Sequence, residues 1–360
     1  MREFDICTRV ASKTASTLSS EQIRGAPDVI AALRARFDEE VVADHLQERQ
    51  GLTLDLRELF EAMRTLAGET YENRSISLGC ILDPYDESAS SVKFPEDFFR
   101  LKKYKALTDG FRTAYVISSA GRLVRLIDLQ RTDPDVELTG QSMFPEWAEN
   151  IARLSRNGRC GVCLTRAGDF LVFVDGALRF VYRFGRWRYL NNAHIVDLLR
   201  NLARVQRVAP ARVGVVTKSV YRTALDVSFR RSGGLLVVLR ARARLRELVR
   251  EGDCIDDDSR PEIDRALDGA LPSRAIQAIP RRILAELAGL DGALVFANSG
   301  QLLAYSAILR PKRQGQIART EGSRTKAAIG ASLYGLVVKI SADGGIEVFS
   351  EGRATPALSI

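Results

Sequence analysis

Histidine is almost missing: only His45 and His194 occur in 360 residues. Histidine is the usual general base and the commonest metal ligand. Its scarcity disfavours a zinc enzyme and a histidine-based triad, so any chemistry must run on carboxylates, arginines and lysines. Cysteine is scarce as well. Cys7, Cys80, Cys160, Cys163 and Cys254 form a small, odd-numbered set, which argues for free thiols in a reducing compartment and against a disulfide framework. No run of about 18 or more apolar residues exists, so no transmembrane helix is expected. The first residues, MREFDICTRVASKTAS, lack the apolar stretch of a secretory signal. A cytoplasmic protein without membrane contact is expected.

What is present belongs to an ordinary globular chain: 46% apolar and 27% charged residues, with a formal net charge of +8. The length fits roughly two domains. An excess of positive charge favours anionic partners such as nucleotide phosphates, nucleic acid or an acidic protein. Its arginines are scattered, however, with one denser stretch at Arg240–Arg250 (RARARLRELVR) that reads as a solvated helix face. Without aromatic residues between them, these arginines give nucleic-acid binding little support.

Residues 1–26 are Ser/Thr-rich and read as a loose arm. A helical segment follows over 27–74. Pro27-Asp28 opens one helix with Val29, Ile30, Leu33, Phe37, Val41 and Val42 at helical spacing, and Leu54–Tyr71 gives a second. The period then changes to two. Ser75–Leu82, Thr113–Ser119, Arg122–Leu129, Cys160–Thr165, Phe170–Val174, Leu178–Arg183 and Arg186–Leu190 predict a mainly antiparallel, β-rich domain over 75–192. A linking helix is expected within 193–212. The order over 213–352 reads strand (Gly233–Leu239), helices (Arg260–Leu267, Arg281–Ala288), strand pair (Ala293–Ala297, Gln301–Ala307), helix (Thr325–Ala331) and two strands (Gly335–Ile340, Gly345–Phe349). Residues 353–360 form a tail. The fold class is therefore α/β (α+β), with a C-terminal mixed sheet flanked by helices.

The tetrapeptide DGAL occurs at Asp175, Asp268 and Asp291. The first copy lies between FLVFV and ALRFVYRF, where Asp-Gly signals a two-residue hairpin. The second reads as a helix end: Ser259-Arg-Pro-Glu262 fits a capping box, and Gly269 falls where a left-handed residue is wanted. The third differs, because Gly289 already ends the preceding helix and Asn298-Ser299-Gly300 supplies the later turn. Asp291 is thus expected at the mouth of a buried strand, where a carboxylate needs a partner such as a metal ion or a substrate hydroxyl.

Downstream, Glu321-Gly-Ser-Arg-Thr-Lys precedes a short helix. A Gly-Ser step at a helix N-terminus presents free N–H groups to an anion, while Arg324 and Lys326 suit phosphates. An ordinary helix start with exposed basic residues is the competing reading. Two other motifs carry less. Cys160-Gly-Val-Cys163 sits within a strand with no second pair, which makes zinc improbable, and DCIDDD at Asp253–Asp258 lacks calcium-loop spacing.

Together these residues resemble the diadenylate cyclase (DAC) domain, whose members carry Asp-Gly-Ala and, some thirty residues on, Gly-Thr-Arg-His-Arg. Here the motifs read Asp291-Gly292-Ala293 and Gly322-Ser323-Arg324-Thr325-Lys326. GGLLVVLR at Gly233–Arg240, AAIG at Ala327–Gly330 and VVKISADGGIEVF at Val337–Phe349 are similar too. The resemblance covers roughly residues 213–350. It implies that Asp291 binds a divalent metal, Mg²⁺ or Mn²⁺, and activates a ribose hydroxyl, with Asp343 a second metal-ligand candidate. It further implies that Gly292 and Ala293 let the backbone approach the nucleotide. Gly322, Ser323, Arg324, Thr325 and Lys326 would hold the triphosphate, with Asp291, Arg324 and Lys326 as the catalytic set. A homo-oligomer would then condense two ATP molecules into cyclic di-AMP.

The family histidine is Thr325 here, its second arginine is Lys326, and Ala342-Asp343 stands for an acidic pair. Tyr71–Leu82 (YENRSISLGCIL) and the helical and β-rich regions before residue 213 are closer to a divergent branch predicted to sense nucleotides. Two readings stay open: a metal-dependent dinucleotide cyclase, and a catalytically silent sensor of a nucleotide second messenger. A nucleic-acid-binding protein is a weaker third.

Overall fold

The computed structural model describes residues 27–85, 90–100, 102–131, 143–310 and 322–360, with side chains from residue 38 onward apart from that of residue 102. The N-terminal arm, Cys7 and Glu321 lie outside the described residues. The chain divides into two compact units: Met1–Met143 with Trp147–Asn192, and Phe144–Glu146 with Ala193–Ile360. Both mix helices and strands, as the sequence predicts.

Unit 1 opens with α1 (Pro27–Gln50) and α2 (Leu56–Ala67). The Asp55 carboxylate caps α2 by accepting the Arg57 N–H, and Leu56, Leu59, Phe60, Met63 and Leu66 form its buried face. Fully burying each such side chain contributes roughly 1.5–3 kcal/mol. A small hairpin, β1 (Thr70–Tyr71) and β2 (Arg74–Ser75), precedes a seven-stranded sheet. The sheet strands are β3 (Leu78–Asp83), β4 (Thr113–Ser118), β5 (Leu123–Asp128), β6 (Cys160–Leu164), β7 (Phe170–Val174), β8 (Ala177–Arg183) and β9 (Arg186–Tyr189). Their order is β5-β4-β3-β6-β7-β8-β9, and only β3–β4 is parallel.

One core gathers α1, α2 and one sheet face, including Leu46, Phe60, Leu78, Cys80, Val162, Phe170 and Trp187. Asp175 (φ 53°) and Gly176 (φ 74°) make the β7–β8 turn, as the first DGAL predicts. Cys160 and Cys163, three residues apart on β6, point to opposite faces of the sheet. One ion therefore cannot take both thiols.

Unit 2 contains α5 (Asn192–Val205), following the short helices α3 (Lys102–Lys105) and α4 (Glu149–Leu154) of unit 1. Next comes α6 (Val213–Phe229), a helix absent from the sequence reading. Its sequence, VGVVTKSVYRTALDVSF, is rich in β-branched residues and buried on most sides, so no polar face marks the helical period. The sheet strands are β10 (Gly234–Leu239), β11 (Ala293–Phe296), β12 (Leu302–Ala307), β13 (Gly335–Ile340), β14 (Ile346–Phe349) and the two-residue β15 (Leu358–Ser359). The order β12-β11-β10-β13-β14-β15 has β10–β11 as its one parallel pair. Between the strands lie α7 (Leu245–Leu248), α8 (Glu262–Ala270), α9 (Arg281–Gly289) and α10 (Ser323–Ala331).

The second DGAL departs from its predicted role. Ser259 does not cap α8; its hydroxyl donates to Asp257 at 2.6 Å, and Pro261 is the cap residue. Gly269 lies inside the helix and has no left-handed φ. Asp268 is instead buried against Arg260 (Nε–Oδ2 3.3 Å), whose guanidinium also stands 4.9 Å over the Tyr305 ring. Burial, then the neighbouring Asp268 carboxylate, pushes the Tyr305 phenol up to about 12. An ionisation raised in the folded state leaves stability intact below pH 10 and removes it as pH rises through 12. The alkaline fall in urea midpoint between pH 9 and pH 12 is therefore expected to be smaller in Tyr305→Phe than in the parent chain.

Deeper in unit 2, Asp226 of α6 pairs with Arg281 at the start of α9 and accepts the Glu146 N–H at 2.7 Å. Burial pushes its carboxyl up, against the pull of the Arg281 guanidinium. Arg281→Ala would leave that charge buried and unpaired, at a cost of about 3 kcal/mol. A urea titration is expected to show this loss, with little of it in Arg282→Ala, whose ion pair with Glu146 is longer (3.5 Å) and whose side chain is largely exposed.

Candidate functional site

The parallel pairing of β10 with β11 builds the site. Leu236 lies opposite Leu294, and the register continues over Val237–Val295 and Val238–Phe296. Followed back two residues, it sets Gly233-Gly234 beside Asp291-Gly292 at one end of the sheet. Adjacent strands are about 4.8 Å apart, so the two dipeptides are neighbours. β13 runs antiparallel to β10 with Ile340 opposite Gly234, which brings the β13–β14 turn and Asp343 to the same end.

Asp291 is exposed. The sequence places a carboxylate there in need of a partner; the residue is open to solvent instead, so burial imposes no such requirement. Among the described residues its carboxylate has no hydrogen-bond or ion-pair partner. Its backbone is fixed, because the Ser306 hydroxyl donates to the Asp291 carbonyl at 2.7 Å. Gly292 adopts φ +100°, and a Cβ there would meet the Ser306 carbonyl carbon at 2.5 Å. Only glycine suits both the conformation and the contact. Ala293 is buried as the first residue of β11.

The basic motif arrives from α10. Gly322 is its cap residue and has no side chain to satisfy the first amides, so the N–H groups of Ser323, Arg324 and Thr325 are left without intrahelical acceptors. Gly322 and Ser323 are exposed, whereas Arg324, Thr325 and Lys326 are half-buried. Arg324 folds across the start of β10: a Cβ on Gly233 would lie 2.0 Å from its Nη1 and 2.6 Å from its Cζ. Arg324 is thereby seated at the strand end whose parallel neighbour carries Asp291. This pairing of the two sequence motifs is the central geometric fact of the site.

Asp343 lies in the β13–β14 turn, on the far side of β10 from Asp291. Their strands, β11 and β13, are separated by β10, two spacings or about 10 Å. The Asp343 carboxylate accepts the Gly345 N–H at 3.2 Å within its turn, and its carbonyl accepts from Arg231. No group of three or more His, Cys, Asp or Glu able to hold a metal occurs among the described residues. One carboxylate nevertheless fits Mg²⁺ or Mn²⁺ delivered with a nucleotide, because such ions keep several waters and bind through one or two carboxylates plus phosphate oxygens.

Sequence reasoning missed Gly233, Ser306 and Arg231. The Gly233-Gly234 pair at a strand start was the available signal for the first; the other two act through contacts far apart in sequence.

No protein-family model matches the chain, and no curated protein matches it. Among solved structures, a double mutant of DacA from Staphylococcus aureus aligns at 20% identity and TM-score 0.25, over 39% of this chain and 83% of that one. A hypothetical membrane spanning protein from Bacillus cereus aligns at 20% identity and TM-score 0.29, over 46% and 79%. In this chain, no described helix is long and apolar enough to cross a membrane.

Two glycines at the site separate fold from function. Gly292→Ala forces a Cβ into backbone and is expected to lower stability by about 1–3 kcal/mol. Gly233→Ala meets only the movable end of Arg324, so its urea midpoint is expected to stay near that of the parent while the guanidinium is displaced.

Proposed function

We propose that unit 2 is a DAC-like nucleotide-binding domain that, as a homo-oligomer, condenses two ATP molecules into cyclic di-AMP or a related cyclic dinucleotide. The observation supporting this most is the seat of Arg324 on Gly233, beside the parallel strand led by Asp291-Gly292. The Ser323, Arg324 and Thr325 amides and the Arg324 fork receive phosphate oxygens, and Lys326 adds a point charge on the same helical turn. Exposed Gly292 leaves the strand start open to the nucleotide, and Asp291 faces its ribose. In each half-reaction a 3′-hydroxyl attacks an α-phosphorus, and the bond to pyrophosphate breaks. Asp291 would hold Mg²⁺ or Mn²⁺, which would supply charge neutralisation. The chain's own residues supply position, which accounts for much of nucleotidyl transfer. The corner is open, with Asp291, Gly292, Gly322 and Ser323 all exposed, and a second copy carrying the other nucleotide would close it.

A second reading keeps the binding and drops the chemistry. The Asp343 carboxylate accepts the Gly345 N–H within its own turn, and Thr325 stands in place of the family histidine. A sensor of a cyclic dinucleotide needs the phosphate contacts and not the second acid.

Incubation with ATP and Mg²⁺ or Mn²⁺, followed by chromatography, is expected to yield a cyclic dinucleotide from the parent chain and none from Asp291→Asn. Arg324→Ala is expected to weaken nucleotide binding by about 1.5–3 kcal/mol, the scale of a charge-assisted hydrogen bond. Retained binding without product from the parent chain would establish the sensor and overturn the enzyme.

A further inference from the structure

Unit 1 carries a cavity of about 340 Å³ that the site above does not involve. Three chain segments enclose it: the β1–β2 hairpin, the approach to β4 over residues 106–113, and the β6–β7 turn. Each contributes one arginine, respectively Arg74, Arg112 and Arg166.

Elsewhere in this unit, arginines near carboxylates pair with them: Arg64 with Glu39, Arg159 with Asp83 (2.7 Å) and Arg183 with Asp169 (2.9 Å). None of the three cavity arginines has a carboxylate partner among the described residues. The one further contact is that of Arg112, whose Cζ lies 5.9 Å from the Phe111 ring centroid. Two acids also line the cavity, Glu72 and Asp109. Asp109 is committed to its own loop, where one carboxylate oxygen accepts the N–H groups of Phe111 (2.9 Å), Arg112 (2.6 Å) and Thr113 (3.3 Å).

The loop that carries Thr108, Asp109 and Arg112 into the cavity wall is held in place by contacts just behind the lining. Gly110 (φ +70°) is packed so closely on Gly79 of β3 that a Cβ on Gly79 would fall 2.3 Å from the Gly110 Cα. The Gly79 N–H donates to the Thr108 hydroxyl at 3.2 Å. Glu72 (φ 49°) and Asn73 (φ 63°) give the hairpin its tight turn between Tyr71 and Arg74. Such preorganisation reduces the ordering cost of binding.

We infer that this cavity is a binding site for a small organic phosphate, a phosphomonoester of sugar-phosphate to mononucleotide size. Arginines from three segments, all exposed, line it, and a guanidinium can engage the oxygens of a phosphate dianion bidentately. Tyr71, Ile76 and Leu107 supply the apolar wall for the organic part, and the volume falls in the range of small-molecule pockets. A polymer would need a groove with arginines spread along it, whereas these line one concavity.

The test uses the full chain carrying Arg324→Ala, so that binding at the unit 2 corner is weakened, with ribose 5-phosphate and AMP as probes. Isothermal titration at fixed ionic strength is expected to give saturable binding of at least one probe. Arg112→Gln with Arg166→Gln is expected to weaken it by about tenfold or more, given the strength of charge-assisted hydrogen bonds. Arg166→Lys alone is expected to retain part of the affinity, and Arg131→Gln, outside the cavity, all of it. Circular dichroism checks that the variants fold; if the double variant does not, Arg166→Glu takes its place with the same expected loss. Absence of saturable binding by both probes, or equal affinity in the cavity variants, overturns the site. A short RNA that binds where both probes fail, and is lost with the same arginines, overturns the ligand class.

Discussion

Parallel pairing of β10 with β11 is the constraint on which the rest of unit 2 depends. A parallel pair requires a crossover, and here the chain travels from Leu239 through α7, α8 and α9 before it returns at Ala293. That return sets both strand starts at the same end of the sheet. Gly234 and Gly292 then each admit a close approach that a side chain would block, by the Ala288 carbonyl at the first and by Ser306 at the second. Two sequence motifs, read separately along the chain, become one corner because this pairing aligns the residues that precede it.

Legibility followed the range of the interactions. The strands of unit 1 could be read because alternation and the Asp175-Gly176 turn are local signals. α6 could not be, since a helix buried on most sides by Val, Thr and Ala shows no polar face. Ser259-Arg-Pro-Glu262 carried the letters of a capping box, yet Asp257, two residues before the serine, captured the hydroxyl. Asp268 looked like punctuation because nothing near it in sequence reveals Arg260 as a buried partner eight residues away. Within the site, Asp291 and Arg324 stood out individually by residue type and order. The seat of Arg324 on Gly233 did not, because it depends on strand register and helix placement together.

Arginine does several different jobs in this chain, and its partners distinguish them. Arg183 with Asp169, Arg260 with Asp268 and Arg281 with Asp226 are buried pairs within their units, where removal of one charge would strand the other. Surface arginines such as Arg200 beside Asp197 contribute little. Those that end on glycine, or line a concavity with no ion-pair partner among the described residues, form the third group, to which Arg324, Arg74, Arg112 and Arg166 belong. Net charge alone gave no way to separate these roles.

The edges of the unit 2 sheet have a consequence for assembly. At one edge, β12 is out of step with β11 at two places, between Ala293 and Val295 and between Val295 and Phe296. At the other, β15 offers only two paired residues, Leu358 and Ser359. Irregular or very short edge strands are poor templates for a further strand. Copies of this chain are thus discouraged from joining sheet to sheet into an open-ended fibre. Any self-association would fall to helices and loops, whose contacts can close on themselves by rotation and so limit the number of copies.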